Sequence, residues 1–283
     1  MRWLVTGSNG MLGQDLVQLL LAQGEEVVAV DRDDLDIIDP SAVDDGVAGR
    51  DVIVNCAAWT AVDAAETKEG DAFDVNAVGP AHLARAASRH GARLVQISTD
   101  YVFDGAATTP YAEDAPAAPR SAYGRTKMAG EWAVRAETSD YLIVRTAWLY
   151  GAGGPCFPKT IARAARERGG LDVVADQVGQ PTWTVDLADL VVRLVAHAAP
   201  SGTYHGTSSG LTSWHGFAQA IVASAGLEPA TVRTTTSDAY ERPAPRPGYS
   251  VLGHDALVAA GVEPIGDWAA RWALAAPAVL AAS

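Results

Sequence analysis

Tyr123 and Lys127, the ends of a Tyr-Gly-Arg-Thr-Lys stretch, are spaced to share one face of a helix. Their types suit proton transfer. A phenol titrates near pH 10 and must give or take its proton near neutrality to serve as acid–base. A neighbouring ammonium favours the phenolate and lowers that value. Reduction of a carbonyl needs this chemistry, with a hydride from a reduced cofactor and a proton from the phenol. Just upstream, an apolar run closes on Ser98-Thr99-Asp100-Tyr101. The carboxyl ends of parallel strands are where open α/β sheets hold ligands. There the Thr99 hydroxyl can bond a substrate carbonyl or the Tyr123 phenol, or simply satisfy backbone.

A second constellation opens the chain. Thr6-Gly7-Ser8-Asn9-Gly10-Met11-Leu12-Gly13 follows the apolar run Trp3-Leu4-Val5, and Leu12, Leu16, Leu19 and Leu20 then recur at helical spacing. Gly7, Gly10 and Gly13 permit a tight turn and let backbone N–H groups approach a pyrophosphate at a helix N-terminus. The strand–turn–helix setting is what makes such a turn a dinucleotide signal. Asp31 ends the second run, 24 residues after Gly7. A carboxylate there suits the ribose 2′-hydroxyl of NAD, whereas the adjacent Arg32 suits the 2′-phosphate of NADP. The two point in opposite directions, so use of both NADPH and NADH is the expectation.

These groups need a scaffold, and the apolar pattern predicts one. Runs at 26–30, 52–55, 94–97 and 141–144 alternate with helical patterns at 71–90 and 122–137. Continuous apolar strands between helices predict an α/β fold, a doubly wound Rossmann-type parallel sheet covered on both faces. Further helical patterns at 158–168, 186–198, 214–225 and 267–275 predict a smaller C-terminal α/β substrate lobe. The expected division is residues 1–150 for the dinucleotide and 151–283 mainly for substrate, with some later segments returning to the first part. The Ala-Pro stretches 106–119 and 243–247 read as loops.

Composition excludes several functions. With 48% hydrophobic and 19% charged residues among 283, the chain can bury a core. A net charge of −13 disfavours nucleic acid and anionic membrane as partners. Two cysteines, Cys56 and Cys156, make neither a disulfide framework nor a CxxC metal pair, and Cys56 reads as a small core residue. His205 and His215 lack partners at metal spacing and read as structural or surface residues. No signal peptide and no apolar stretch of ~20 residues is present, which predicts a cytoplasmic protein.

The chain resembles the extended short-chain dehydrogenase/reductase superfamily and, within it, the dTDP-4-dehydrorhamnose reductase family. The matching stretches are Gly7 to Gly13, Asp51 to Asp63, Ser98 to Gly105, Tyr123 to Lys127, Arg145 to Gly151, Asp176 to Thr182 and Arg242 to Pro247. The resemblance implies Tyr123 as general acid, Lys127 as its partner and a ribose ligand, and Thr99 as third member. It implies that Gly10, Met11, Leu12 and Asp31 hold the adenosine and pyrophosphate side of the cofactor, with Asp36 and Ile37 beside the adenine. Ala58, Trp59 and Thr60 would line the dinucleotide. Asp100 would sit with Thr99 at the substrate, and Trp148 would stack on the sugar nucleotide, unless it packs as core beside Leu149 and Tyr150.

The implied reaction is reduction of the C4 ketone of a dTDP-linked 4-keto-6-deoxysugar. An acidic protein needs local cations for the diphosphate, and Arg242 and Arg246, held by prolines, can supply them or remain solvated. Some family members dimerise through magnesium on glutamates whose positions here are Asp15 and Val185. Valine cannot ligate, so no metal is expected, and monomer and homodimer both stay open. Two alternatives remain. One is a ketoreductase for another dTDP-deoxyhexulose in antibiotic sugar biosynthesis. The other is a non-catalytic dinucleotide-binding regulatory subunit, which predicts a degraded Tyr-Lys pair or glycine turn; both are intact.

Overall fold

Apolar runs bounded by turn residues become the strands of one sheet. The structure, a computed structural model, describes residues 1–281. Six strands, β1 (Arg2–Thr6), β2 (Glu26–Val30), β3 (Val52–Asn55), β4 (Arg93–Thr99), β5 (Tyr141–Thr146) and β6 (Gly202–His205), pair in the order β6-β5-β4-β3-β1-β2. Every pair is parallel. All of β3 and nearly all of β4 are buried, as expected of strands covered on both faces.

Eight helices matter for the argument: α1 (Met11–Ala22), α2 (Pro40–Val47), α3 (Gly79–His90), α4 (Ala122–Glu137), α5 (Phe157–Arg168), α6 (Thr184–Ala196), α7 (Trp214–Ser224) and α8 (Trp268–Ala281). On one face of the sheet, Leu12, Leu16 and Leu20 of α1 pack with Leu187, Leu190 and Leu194 of α6. On the other face, Val43 and Val47 of α2 and Leu83 and Ala87 of α3 cover Leu4, Ile53 and Leu94. A separate core joins Ile161 of α5, Phe217 and Ile221 of α7 and Trp272 of α8. Beside it, strand 171–174 pairs in parallel with 232–235. Late segments return to the sheet: α6, β6 and the apolar residues Leu257 and Val262 all join the first core.

The pattern over 71–90 predicts one helix, but the structure breaks it. A short helix at Glu69–Phe73 passes through a π-helical stretch, Asp74–Val78, before α3 begins. Pro80 has no N–H to bond the carbonyl four residues back, that of Asn76, so the regular ladder cannot continue there. The last strand of the first half runs on to Thr146, past the expected 144. The final helix runs on to Ala281 through Pro277, whose ring lies inside it. Among the described residues no helix is long and apolar enough to cross a membrane.

Candidate active site

The glycine turn is shaped by close approach. Gly7 has φ +66°, and a Cβ there would lie 2.6 Å from the Ala57 backbone nitrogen. A Cβ on Gly13 would lie 2.3 Å from the Gly7 carbonyl oxygen. Neither position admits a side chain. Gly10 caps α1 and offers no side-chain acceptor to its first turn, which leaves an anion-binding helix end. The Asp31 carboxylate accepts from the backbone N–H of Asn9 (3.0 Å) and of Arg32 (2.8 Å), so it ties the turn to the end of β2. The Arg32 side chain is 79% exposed and lies 4.0 Å from Asp36.

Opposite this turn, α4 starts at Ser121, whose hydroxyl accepts from the Gly124 N–H at 3.1 Å. A Cβ on Gly124 would lie 2.2 Å from the Tyr101 carbonyl oxygen, so the helix can seat against the end of β4 only with glycine there. That places Tyr123 beside Thr99. The Thr99 hydroxyl donates to Asp100 Oδ1 at 2.9 Å and stands near enough to the Tyr123 phenol to favour its charged form. The Tyr101 ring meets Tyr123 edge to face at 5.5 Å.

Burial pushes the Tyr123 phenol up to about 12; the Thr99 hydroxyl pulls it down and the Asp100 charge pushes it up. The phenol therefore carries its proton at neutral pH, the form a general acid needs. The expected lowering by Lys127 is not what the structure gives. The Lys127 ammonium donates to the Ile97 carbonyl at 2.7 Å instead. Burial pushes it down to about 8, opposed by the Glu131 carboxylate. Glu131, one turn further along α4, is fully buried. It accepts from the Ser98 hydroxyl at 2.6 Å and from Arg145 at 2.8 and 2.9 Å. Burial alone would raise its pKa, but these partners and Arg135 hold it below the usual range.

A cleft of about 1360 Å³ joins both constellations. All the residues expected to bind cofactor or substrate line it: Asp31, Arg32, Asp36 and Ile37 at one end, then Gly7, Gly10, Met11, Leu12 and Gly13, then Ala58, Trp59 and Thr60. Thr99, Asp100, Tyr123, Lys127, Trp148, Arg242 and Arg246 complete it. Its volume exceeds what one small ligand fills, typically ~300–1,000 Å³.

At the far end the pairings are richer than the sequence showed. Asp100 is 3% exposed, and its carboxylate accepts from the Thr99 hydroxyl. Burial pushes this carboxyl up to about 6, with the Ser250 and Thr99 hydroxyls favouring its charged form. Arg246 and Arg242 both face Asp63, at 2.8 and 3.7 Å. Trp148 is half-buried. It lines the cleft, and its indole also stacks on Trp214 and packs against Gly179.

Three residues escaped sequence reasoning. Asn76 accepts from the Trp59 N–H at 2.9 Å and donates to the Trp59 carbonyl and the Thr126 hydroxyl, both at 3.1 Å, clamping the loop after β3 to α4. Its one signal was Pro80, four residues on. Asp63 ends a quoted motif, but its arginine partners lie 179 and 183 positions away. Trp214 opens the helical pattern at 214–225, where nothing marks it out. Cys56, expected in the core, packs against it half-buried and also lines the cleft. Its thiol is pushed up to about 12 by burial, which leaves it unreactive. His205 is buried and bonded to the Gly253 carbonyl, and His215 is bonded to that of Val232. Among the described residues no group of three or more His, Cys, Asp or Glu side chains could hold a metal ion.

A dinucleotide turn and a Tyr-Lys helix meeting at the carboxyl edge of one parallel sheet define a nicotinamide-dependent oxidoreductase of the short-chain type. Known proteins narrow the class. Residues 1–279 match the family described as RmlD substrate binding domain. A dTDP-4-dehydrorhamnose reductase of Streptomyces griseus is 50% identical over 285 residues, covering 98% of this chain and 94% of the relative. A probable dTDP-4,6-dihydroxy-2-methyloxan-3-one 4-ketoreductase of Streptomyces antibioticus is 49% identical over 287 residues, covering 100% of this chain and 97% of the relative. The crystal structure of dTDP-4-dehydrorhamnose reductase from Bacillus anthracis in complex with NADP superposes with a TM-score of 0.92 at 36% identity, covering 97% of this chain and 98% of that one. The chain belongs to the dTDP-4-dehydrorhamnose reductase family.

Proposed function

We propose that this protein reduces the C4 ketone of dTDP-4-dehydro-L-rhamnose to give dTDP-L-rhamnose, using NADPH or NADH, with Tyr123 as proton donor. The observation that carries the reading is the single cleft in which the glycine turn, the Thr99–Tyr123 pair and the two arginines all face one space. A dinucleotide suits the turn, because Gly7 and Gly13 let its backbone pack closely on the loop after β3 and on the start of α1, whose first turn has no side-chain cap.

When bound, the reduced nicotinamide supplies the hydride. The chain does the rest. The first turn of α1 would hold the pyrophosphate. Asp31 or Arg32 would hold the adenosine ribose at its 2′-position, and Lys127 would hold the other ribose and keep a positive charge near the ketone. Tyr123 delivers its proton to the sugar O4, and Thr99 orients the phenol. Arg242 and Arg246 turn from Asp63 toward the diphosphate, and Trp148 offers an aromatic surface to the nucleoside.

A second reading keeps the chemistry and changes the sugar. It is favoured by the Streptomyces antibioticus relative, whose name carries a different dTDP-ketosugar at nearly the same identity. Oxidation of NADPH and NADH in parallel, with dTDP-4-dehydro-L-rhamnose and dTDP-4-keto-6-deoxy-D-glucose, separates them. A kcat/KM higher for the first sugar by tenfold or more supports the rhamnose reading, on the order of 1.4 kcal/mol of preference. The reverse order assigns the enzyme to the other sugar. The ratio of the two cofactor values shows which of Asp31 and Arg32 governs the choice.

A further inference from the structure

The Tyr123 backbone is gripped on both sides by one stretch of chain, the loop and short helices after β3. On the carboxyl side, the Thr126 hydroxyl donates to the Tyr123 carbonyl at 2.9 Å and accepts from the Asn76 amide at 3.1 Å. On the amino side, the Glu66 carboxylate accepts from the backbone N–H of Ala122 at 2.8 Å. Glu66 closes a one-turn helix, Val62–Ala65, and comes 56 positions before Ala122. Ala122 is the first residue of α4, so its N–H has no partner within the helix. The Ser121 cap serves Gly124 instead. Ala122 is fully buried, and its N–H can reach water only if the start of the helix moves. Packing follows the same line. Ala65, Ala72 and Ala122 form a small core, and Trp59 and Tyr123, which both line the cleft, lie against it.

Resting on the reductase reading above, we propose that Glu66 is a positioning residue for Tyr123, setting the first turn of α4 against the loop after β3 so that the phenol stands within reach of the ketone. Glu66 does not itself line the cleft. It acts through the helix. A displacement near 1 Å can cost on the order of 10²-fold in rate. Substrate affinity is spread over Trp148 and the two arginines, away from this contact, so the loss falls on kcat and not on KM. The carboxylate also complements the helix N-terminus, a benefit that shows in melting temperature and not in rate. Glu69 is the internal contrast. It lies three residues on and grips α4 with two bonds, from Arg125 at 2.7 and 2.8 Å. Its side chain is 44% exposed and that of Arg125 is 45% exposed, and an exposed pair of this kind contributes little. Breaking it leaves the bond to the Ala122 N–H in place.

The test measures kcat, both KM values and Tm for the full-length wild type, E66A, E66D, E66Q and E69A, with NADPH and dTDP-4-dehydro-L-rhamnose. In E66A, kcat should fall by about tenfold or more while each KM moves by less than about threefold. E66Q should keep kcat within about threefold of wild type, even where its Tm drops, because its amide oxygen accepts the same bond. E66D keeps the charge but falls short of Ala122, and should lose kcat as E66A does; it carries the test where E66A does not fold. E69A should keep kcat within about threefold. Wild-type kcat in E66A and E66D overturns the proposal. So does an E66Q as slow as E66A, which would make the charge and not the bond the cause. So does an E69A as slow as E66A, which would make general loosening of the stretch the cause. A wild type inert toward every dTDP-4-keto-6-deoxysugar overturns the reductase reading and the role of Glu66 together, an outcome distinct from an active wild type with an indifferent E66A.

Discussion

Trp148 and Trp214 lie face to face, 3.6 Å between ring centroids and 8° from parallel, joining the loop after β5 to the first turn of α7. Trp148 holds φ +48°, a left-handed conformation that is costly for a bulky side chain. Its neighbours must over-determine it, and the stack does so together with Gly179. An aromatic pair contributes about 0.5–1.5 kcal/mol beyond its buried area. Trp214→Ala should therefore lower Tm by about 2–4 °C per kcal/mol lost and raise KM for the nucleotide sugar several-fold more than KM for NADPH. Equal changes in both constants would separate the stack from substrate binding.

Tyr123→Phe should leave NADPH affinity within about twofold while kcat drops on the order of 10²–10⁴. The phenol is protonated at neutrality, so its loss removes the donor without changing local charge. Comparable turnover in the variant would take Tyr123 out of the acid role. Cofactor binding by fluorescence and turnover by absorbance decide it.

Gly7→Ala meets two obstacles, a left-handed φ and the Ala57 backbone at 2.6 Å. The conformational term alone costs about 1–2 kcal/mol, and the clash moves β1 away from the loop after β3. The expected result is a weakened NADPH complex, by about tenfold or more, in protein that also melts earlier. Retained affinity would mean that the turn can widen without losing its ligand.

His205 makes acid stability testable. Burial and the neighbouring Arg145 charge push it down to about 3, well below its ordinary value near 6.5. The folded protein keeps it neutral while the unfolded chain takes a proton as pH falls below 6.5. Stability from this residue is thus present above that value and is lost as pH drops, by on the order of 1 kcal/mol per pH unit. The raised Asp100 carboxyl acts in the opposite sense below pH 6, but equally in a His205→Gln variant. The gap between the two proteins in urea denaturation should narrow from pH 7.5 to 5.5. A constant gap would show that the imidazole titrates normally in the fold.

Much of this was legible in the residues. The central strands read directly as apolar runs because both sheet faces are covered, and the glycine turn and Tyr-Lys helix carry their chemistry at short spacing. Pairs distant in sequence were not legible. Nothing near Arg242 or Arg246 announces Asp63, and nothing near Trp148 announces Trp214. Short strands such as 171–174 and β6 carry too few residues for periodicity to separate them from loops. The pKa expectation for Tyr123 failed for a related reason: helical spacing puts Lys127 on the right face, but the Ile97 carbonyl that captures its ammonium belongs to another element.

The edge strand β6 has a consequence for how the molecule comes into being. It pairs with β5 in register Gly202↔Leu142 through His205↔Arg145, and Arg145 in turn anchors the buried Glu131 behind Tyr123. A chain emerging from the ribosome therefore cannot finish the sheet when its glycine turn and Tyr-Lys helix have been made. The edge beside β5 stays open until some sixty further residues have been synthesised, offering unpaired backbone to any strand that passes. Conditions that slow translation across residues 150–200 should raise aggregation of this protein without changing a single contact in its finished form.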